Sequence, residues 1–343
     1  MSNFEFKEIV NNEDFNPSII SGEVSFTQAG FYGDWQKSLG RKVRRFLVLS
    51  DKEAVAYFQL VKYPLLLSKN YLYIPYGPVV KDFSKDFLAE FKKELKKIAK
   101  EENAVFVRLD FTPKVEDKII KSLFTKAPLF TYHSAYFQPR LEWFLKINKT
   151  DETLLTEMHK NGRYSVKFAE KKDIKVEIVT KDFEKYFEIF YSLMVGTAER
   201  NGFSLHSKKY YENIFKSLSK IENSFLSVAR LEDKILVVDL VIVFGKVAHY
   251  VFSGSSSEER NRMPTYLAIW EAIREARKCG CEYYNFGGIS SDDKTYKGWD
   301  GLTSFKKKFG GEEVRHSDFY DLILNPLWYY LYNFRKFVKK FGF

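Results

Sequence analysis

Three consecutive lysines stand between two aromatic residues in the segment 301-GLTSFKKKFGGEEVRH-316. Lysine runs are usually solvated surface charges, but Phe305 and Phe309 flank this one with side chains that prefer burial. The run is therefore either a solvated cluster or a place where aromatic residues dock a lysine beside an anionic ligand. The segment by itself leaves both interpretations open.

Two further charged residues have positions typical of ligand-binding sites. Asp110 ends the predicted strand 104-AVFVRLD-110, and ligands of α/β proteins gather at the carboxyl edges of strands. The alternative for Asp110 is an aspartate that terminates a strand or caps a turn. Arg200, just before Asn201 and Gly202, either holds a phosphate or caps its own helix.

The composition predicts a globular protein with an anionic partner. The chain has 343 residues, 45% apolar and 17% aromatic, enough for two domains. Its net charge of +10 favours nucleic acid, nucleotide diphosphates or anionic membrane surfaces. The longest apolar run, 235–244, contains Asp239 and is too short to span a bilayer, and the first residues lack an apolar signal core. We therefore expect a cytosolic protein, and its two cysteines predict neither a disulfide framework nor a zinc site.

Two halves of the chain show the same predicted order of elements. Each has three strands, a helix with apolar residues at helical spacing, and a returning strand. In the first half these are 43–50, 53–65, 71–76, helix 85–102 and strand 104–110. In the second half they are 224–231, 235–244, 247–253, helix 263–279 and strand 282–286. This order predicts an α/β (α+β) fold with two acetyltransferase-like units.

The remaining segments are predicted to be helical. Segments 151–174 and 182–202 are predicted helices with basic faces, and Asp151 is a predicted N-cap. The aromatic, basic segment 325–343 either packs on the first domain or lies on a membrane. We favour packing, because its aromatic residues are too many to leave exposed. The first domain would then be discontinuous.

Several familiar motifs are missing from the sequence. The loops at Gly77–Val80 and 254–264 do not match the glycine-rich loop with which acetyl-coenzyme A users hold a pyrophosphate. No Walker loop, HExxH or GxSxG motif occurs. Acetyl transfer is therefore disfavoured.

Seven segments together resemble the FemABX aminoacyltransferases, which build peptidoglycan cross-bridges by moving an amino acid from aminoacyl-tRNA to the stem peptide of a cell-wall precursor. The segments occur in order over nearly the whole chain. They are 27-TQAGFYGDWQKSLGRKV-43, 74-IPYGPVV-80, 159-HKNGRYSVKFAEKKDIKVEI-178, 197-TAERNGFSLHSKKYY-211, 249-HYVFSGSSSEERNRMPTYLAIWEAIREA-276, 283-YYNFGGI-289 and 304-SFKKKFGG-311.

The resemblance implies two GNAT-like domains facing a cleft. Residues 1–146 with 317–343 would bind the precursor, and 147–316 would bind the acceptor end of the tRNA. The implied partners are aminoacyl-tRNA and either lipid II or UDP-MurNAc-pentapeptide, with peripheral contact to the inner membrane surface as a further expectation. We expect a monomer that uses no cofactor and no metal.

The implied reaction assigns roles to the residues considered first. A neutral amine must attack an aminoacyl ester, pass through a tetrahedral oxyanion and release a ribose hydroxyl. Lys306 stands where the family places a lysine near the acceptor end, and we predict that it stabilises the oxyanion or leaving oxygen. Phe305 is predicted to stack on the terminal adenine. Asp110 is the predicted base, whereas Lys307 and Lys308 are predicted to be solvated.

The resemblance also implies residues for the precursor. Lys37, His206, Tyr210 and Tyr250 stand where the family holds its diphosphate. His206 replaces an expected arginine, so Lys208 or Lys209 is a substitute candidate.

Three other features depart from the family pattern. Tyr76 and Asn285 replace an arginine and an aspartate that are common there, and the coiled-coil arm of the staphylococcal-type enzymes is missing. Two other functions stay open: an acyltransferase that modifies another amine, such as a protein N-terminus or an exopolysaccharide sugar, and a non-catalytic tRNA- or membrane-binding relative.

Overall fold

The computed structural model describes residues 4–10, 15–22, 24–111, 117–131, 137–218, 221, 224–290 and 298–341. The strands are β1 (Phe4–Glu8), β2 (Val43–Ser50), β3 (Glu53–Pro64), β4 (Asn70–Ile74), β5 (Val79–Val80), β6 (Ala104–Asp110), β7 (Thr125–Lys126), β8 (Leu141–Lys146), β9 (Ile174–Val179), β10 (Phe225–Leu231), β11 (Lys234–Phe244), β12 (Val247–Ser255), β13 (Tyr283–Gly288), β14 (Glu312–Arg315) and β15 (Phe319–Ile323). The helices are α1 (Gly30–Ser38), α2 (Lys85–Glu101), α3 (Asp117–Leu123), α4 (Asp151–Glu157), α5 (Lys160–Glu170), α6 (Phe187–Asn201), α7 (Lys208–Leu218), α8 (Pro264–Lys278), α9 (Asp300–Lys307) and α10 (Pro326–Phe341).

The chain forms two compact units. The first comprises Met1–Leu141, Ser290–Gly298 and Val314–Phe343, and the second comprises Glu142–Ile289 and Trp299–Glu313. We predicted boundaries at 146 and 317 instead. Residues 142–146 group with the second unit because β8 pairs with β13 there.

The first unit is built on a sheet in the order β1-β2-β3-β4-β6-β15-β7, with β5 pairing with β3. Helix α2 begins at Ser84, whose side chain accepts a hydrogen bond from the Phe87 amide (3.1 Å). Its apolar residues lie on one buried face, at the spacing that predicted the helix. The late strand β15 lies between β6 and β7, so the first sheet joins segments that are far apart in sequence.

A buried ion pair fixes β15 to β6. The Arg108 guanidinium donates two hydrogen bonds to the Asp321 carboxylate, at 2.8 and 2.7 Å, and both side chains are fully buried. The Tyr329 hydroxyl of α10 donates a third, at 2.8 Å. The two parallel hydrogen bonds offset the free-energy cost of removing both charges from water.

The second unit is built on a sheet in the order β14-β8-β13-β12-β11-β10-β9. Strands β12 and β13 are parallel and pair over only three positions, from Val247 with Tyr283 to His249 with Asn285. Beyond that point β12 continues along β11 to Ser255, and β13 continues along β8 to Gly288. We call the region beyond His249 and Asn285, where the two strands no longer pair, the β12–β13 gap.

The prediction of one helix over 151–174 was wrong. The segment forms α4 and α5, and the His159 side chain caps α5 by accepting from the Asn161 amide (3.2 Å). The N-cap of α4 is Thr150, which accepts from the Thr153 amide, and not Asp151. Asp151 instead pairs with Arg274 (3.0 Å) and Arg277 of α8.

Among the helices of the described residues, none combines the length and the apolar character that crossing a bilayer requires.

We expect Asp321→Asn to destabilise the first unit by about 3–5 kcal/mol, because it leaves the Arg108 charge buried without a counter-charge. Chemical denaturation of the full chain, followed by tryptophan fluorescence, measures this. Glu212→Gln is the matched control, since Glu212 pairs with Lys216 on the surface and its loss should change stability little. Similar effects of the two substitutions would contradict the role given to the buried pair.

Candidate active site

The lysine run lies at the end of α9, where two aromatic side chains anchor it. Phe309 is fully buried and stacks on Tyr266 of α8, with ring centroids 5.5 Å apart. Phe305 meets the same ring edge-on at 5.1 Å. Lys306, between them in sequence, is only 4% exposed. The aromatic residues therefore hold Lys306 in the interior, as one of the two interpretations of the segment predicts.

The other two lysines have different surroundings. Lys307 is exposed and lies over the Trp143 ring (5.2 Å to the centroid). Lys308 is partly exposed and donates a hydrogen bond to the Tyr266 hydroxyl at 3.2 Å. Of the three, only Lys306 has its amine in the interior.

The Lys306 amine lies at the β12–β13 gap. Its Nζ donates a hydrogen bond to the Gly288 carbonyl at 2.6 Å. A Cβ added at Gly287 would lie 3.9 Å from this Nζ and 3.7 Å from the Tyr250 carbonyl, and Gly287 has a φ of +75°. Both distances are ordinary contacts, so glycine at 287 is favoured by its left-handed backbone conformation.

Burial changes the charge state of this lysine. It lowers the pKa of Lys306 to about 7, and the Glu142 carboxylate opposes the shift. At neutral pH the side chain therefore exists in both its ammonium and amine forms. Such a group exchanges protons readily with a reacting substrate.

Two buried residues that the sequence did not single out, Glu142 and His249, also belong to this part of the second unit. Glu142 of β8 pairs in register with Gly288, the residue that accepts the Lys306 hydrogen bond. His249 of β12 pairs in register with Asn285, and their side-chain nitrogens are 3.4 Å apart. Burial lowers the pKa of His249 to about 4, again opposed by Glu142, so this imidazole is neutral at pH 7.

A second acid lies under Tyr250. Asp239 of β11 is fully buried, and its Oδ1 accepts a hydrogen bond from the Tyr250 hydroxyl at 3.3 Å. Against the effect of burial, the Ser253 and Tyr250 hydroxyls lower the pKa of Asp239. Burial raises the pKa of Asp239 to about 7 and that of Tyr250 well above its usual range. The available sequence signal was a lone carboxylate in an otherwise apolar run.

The other predicted residues of the second unit lie around the end of β12. Arg200 donates to the Ser255 carbonyl (3.2 Å) and hydroxyl (2.9 Å), so its contacts fix α6 to β12. The His206 ring stacks on Tyr210 at 4.0 Å, and Tyr210 meets Phe252 of β12 edge-on at 6.3 Å. Arg200, His206 and Tyr210 therefore lie beside the last residues of β12.

Asp110 and Lys37 lie in the first unit. Asp110 is 1% exposed and accepts hydrogen bonds from the Tyr73 hydroxyl (2.6 Å) and the Tyr76 amide. Burial raises the pKa of Asp110 well above its usual range, and these hydrogen bonds oppose the shift. Lys37 is exposed and lies 3.5 Å from Asp34.

Comparison with known proteins identifies the family. The model of the FemAB family matches residues 20–235 and 220–337. The chain belongs to the FemAB family. Curated relatives include the lipid II:glycine glycyltransferases of Staphylococcus saprophyticus, 27% identical over 85% of this chain and 86% of the relative, and of Staphylococcus aureus, 25% identical over 88% of each.

Solved structures agree with this assignment at the level of the fold. A crystal structure of FemX matches with a TM-score of 0.83 and 24% identity, over 95% of this chain and 99% of that one. A tandem GNAT protein from the clavulanic acid biosynthesis pathway matches with a TM-score of 0.53 and 9% identity, over 94% and 99%. The predicted α/β fold with two GNAT-like domains is thereby confirmed, and the protein is a transferase of the FemAB family.

The shifted pKa of Lys306 makes folding depend on pH. The unfolded chain holds this proton up to a pH near 10.5, whereas the folded chain releases it near 7. Folding stability therefore rises with pH across this window. We expect the stability of the native protein, minus that of a Lys306→Met variant, to rise by about 1.4 kcal/mol per pH unit between pH 7.5 and 9.5.

Denaturant unfolding at a series of pH values measures this difference for the second unit. Lys307→Met is the matched control, because the neighbouring side chain is exposed. If the stability difference between native protein and Lys306→Met did not change with pH, the burial of the Lys306 amine would be contradicted.

Proposed function

We propose that the protein moves an amino acid from aminoacyl-tRNA to the stem-peptide amine of a peptidoglycan precursor. The observation that supports this most directly is a lysine amine buried at the β12–β13 gap of a FemAB-family chain. The names of the curated relatives favour the lipid-linked precursor as the acceptor.

The chemistry of this transfer needs a group that gives up and recovers a proton. The acceptor nitrogen attacks the ester carbonyl carbon, the C–N bond forms, and a tetrahedral oxyanion results. The bond between carbon and the ribose oxygen then breaks. In our proposal the Lys306 ammonium stabilises the negative charge, protonates the leaving ribose oxygen, and regains a proton from the new amide nitrogen.

The surroundings of Lys306 suit these roles. A pKa near 7 makes proton donation easier than from an ordinary lysine. The hydrogen bond to the Gly288 carbonyl fixes the position of Nζ, so little reorganisation is needed during the reaction. Phe305, half-buried against Tyr266, is proposed to stack on the terminal adenine. Lys37, His206, Tyr210 and Tyr250 remain proposed precursor contacts, and Asp110 the proposed base.

We expect the protein, mixed with charged tRNAs and either lipid-linked or nucleotide-linked precursor, to extend the stem peptide. Mass spectrometry of the peptide reports the added amino acid and its attachment point together. Lys306→Met should lower the transfer rate by about 10²–10³-fold, the usual effect of removing one stabiliser of an oxyanion.

Lys307→Met serves as the control for this experiment, since it removes an adjacent lysine of the same helix whose amine is exposed. It should retain transfer within a few-fold. Equal rates for native protein and Lys306→Met would refute the assignment of Lys306, and absence of any extended peptide would refute the proposed reaction.

Glu142 should set the pH dependence of the reaction through Lys306. The charge of Glu142 opposes the effect of burial on Lys306, whereas His249 is neutral near pH 7 and adds none. Glu142→Gln should therefore lower the pKa of Lys306 and move the bend of the rate profile near pH 7 downward by about one unit.

Rates measured from pH 5.5 to 9 under saturating substrate test this expectation. Glu282→Gln is the control, because Glu282 is a surface residue that pairs with Lys246 (3.6 Å). An unmoved bend in Glu142→Gln, with transfer otherwise intact, would show that Glu142 does not tune the lysine.

A further inference from the structure

Helix α10 packs on the first unit through one face only. Its first turn is capped by the Asn325 side chain, which accepts from the Trp328 amide at 3.2 Å. Tyr329 and Asn333 are buried, and the Tyr332 ring lies 5.1 Å from Phe106 and 5.7 Å from Tyr71. On this face the helix packs on the first domain, as the sequence predicts.

The opposite face presents large apolar side chains to solvent. Leu327, Tyr330 and Phe334 are 67–68% exposed, and Leu331 is 50% exposed. Their spacing of three and four residues puts them on one stripe of the helix, which we call the α10 outer stripe. A stripe of this kind on an otherwise well-packed unit marks an interaction surface.

The apolar surface continues beside the stripe. Phe337, 40% exposed, meets Phe130 edge-on at 5.6 Å. Leu129, the neighbour of Phe130 in the short turn Leu129–Thr131, is 48% exposed. Two separate segments of the first unit therefore contribute to the same apolar region.

The charge of the helix is of one sign. The sequence from 326 to 341 contains four basic residues and no acidic one. Arg335 follows Phe334 and is exposed, and the Lys336 ammonium passes 5.7 Å from the Tyr332 ring at the edge of the packed face. Apolar and aromatic residues flanked by cations are the composition of helices that lie in a membrane interface.

We infer that the α10 outer stripe docks on an anionic lipid membrane, with its leucines and aromatic rings among the lipid chains and Arg335 at the headgroups. A second copy of this helix suits the surface less well, because it contains no acidic residue to pair with the cations. RNA offers phosphates for the cations but no partner for the leucines. Docking does not depend on catalysis, so it stands or falls separately from the proposed function.

Sedimentation with lipid vesicles tests this inference on the full chain. We expect the native protein to bind vesicles that contain phosphatidylglycerol at least ten-fold more tightly than vesicles of phosphatidylcholine alone. Leu331→Gln combined with Phe334→Gln should weaken binding to the anionic vesicles at least ten-fold. Arg335→Glu should reduce the preference for anionic lipid.

Ile19→Gln is the matched control, since it removes an exposed apolar residue from another part of the first unit; it should bind as the native protein does. Unchanged thermal unfolding confirms that each variant is folded. Failure of the native protein to sediment with anionic vesicles, or equal sedimentation of the double variant, would overturn the inference. So would a dimer in size-exclusion chromatography that the double substitution dissolves.

Discussion

A lysine amine that is removed from water tends to lose its charge, and the second unit is arranged around this constraint. The Gly288 carbonyl satisfies one proton of Lys306. Phe305 and Phe309 pack on Tyr266 and anchor the end of α9. Moving the Lys306 backbone away from the interior would break this aromatic packing. Burial thus disfavours the charged form of the Lys306 amine and lowers its pKa to about 7.

The strands continue this arrangement. Strands β12 and β13 pair over three positions only. Beyond His249 and Asn285, their facing backbone polar groups are therefore not joined by hydrogen bonds between the two strands. His249, Asp239 and Tyr250 on β11 and β12 supply a neutral imidazole, an acid with a raised pKa and a tyrosine hydroxyl. The Tyr250 hydroxyl donates a hydrogen bond to Asp239. Polar chemistry is therefore concentrated where the regular sheet is interrupted.

Much of the fold was predictable from local pattern. The strands and helices of both units follow β-branched runs, turn residues and helical spacing, and most of their ends agree within two residues. The break between α4 and α5 was not predictable from periodicity, because a histidine cap depends on the path of the preceding chain. The site was predictable only in part. Lys306 stood out by its aromatic flanks, whereas Glu142 and His249 matter through strand register with Gly288 and Asn285, which a single sequence does not display.

The interleaved first sheet has a consequence for the order in which the protein is made. Arg108 emerges from the ribosome 213 residues before its partner Asp321, an interval of roughly 10–40 s at ordinary rates of synthesis. During that time the second unit is completed, while the first lacks the strand that neutralises its buried cation. The half that is translated first therefore finishes folding last, and an interrupted chain retains an unfinished first sheet that proteases can recognise.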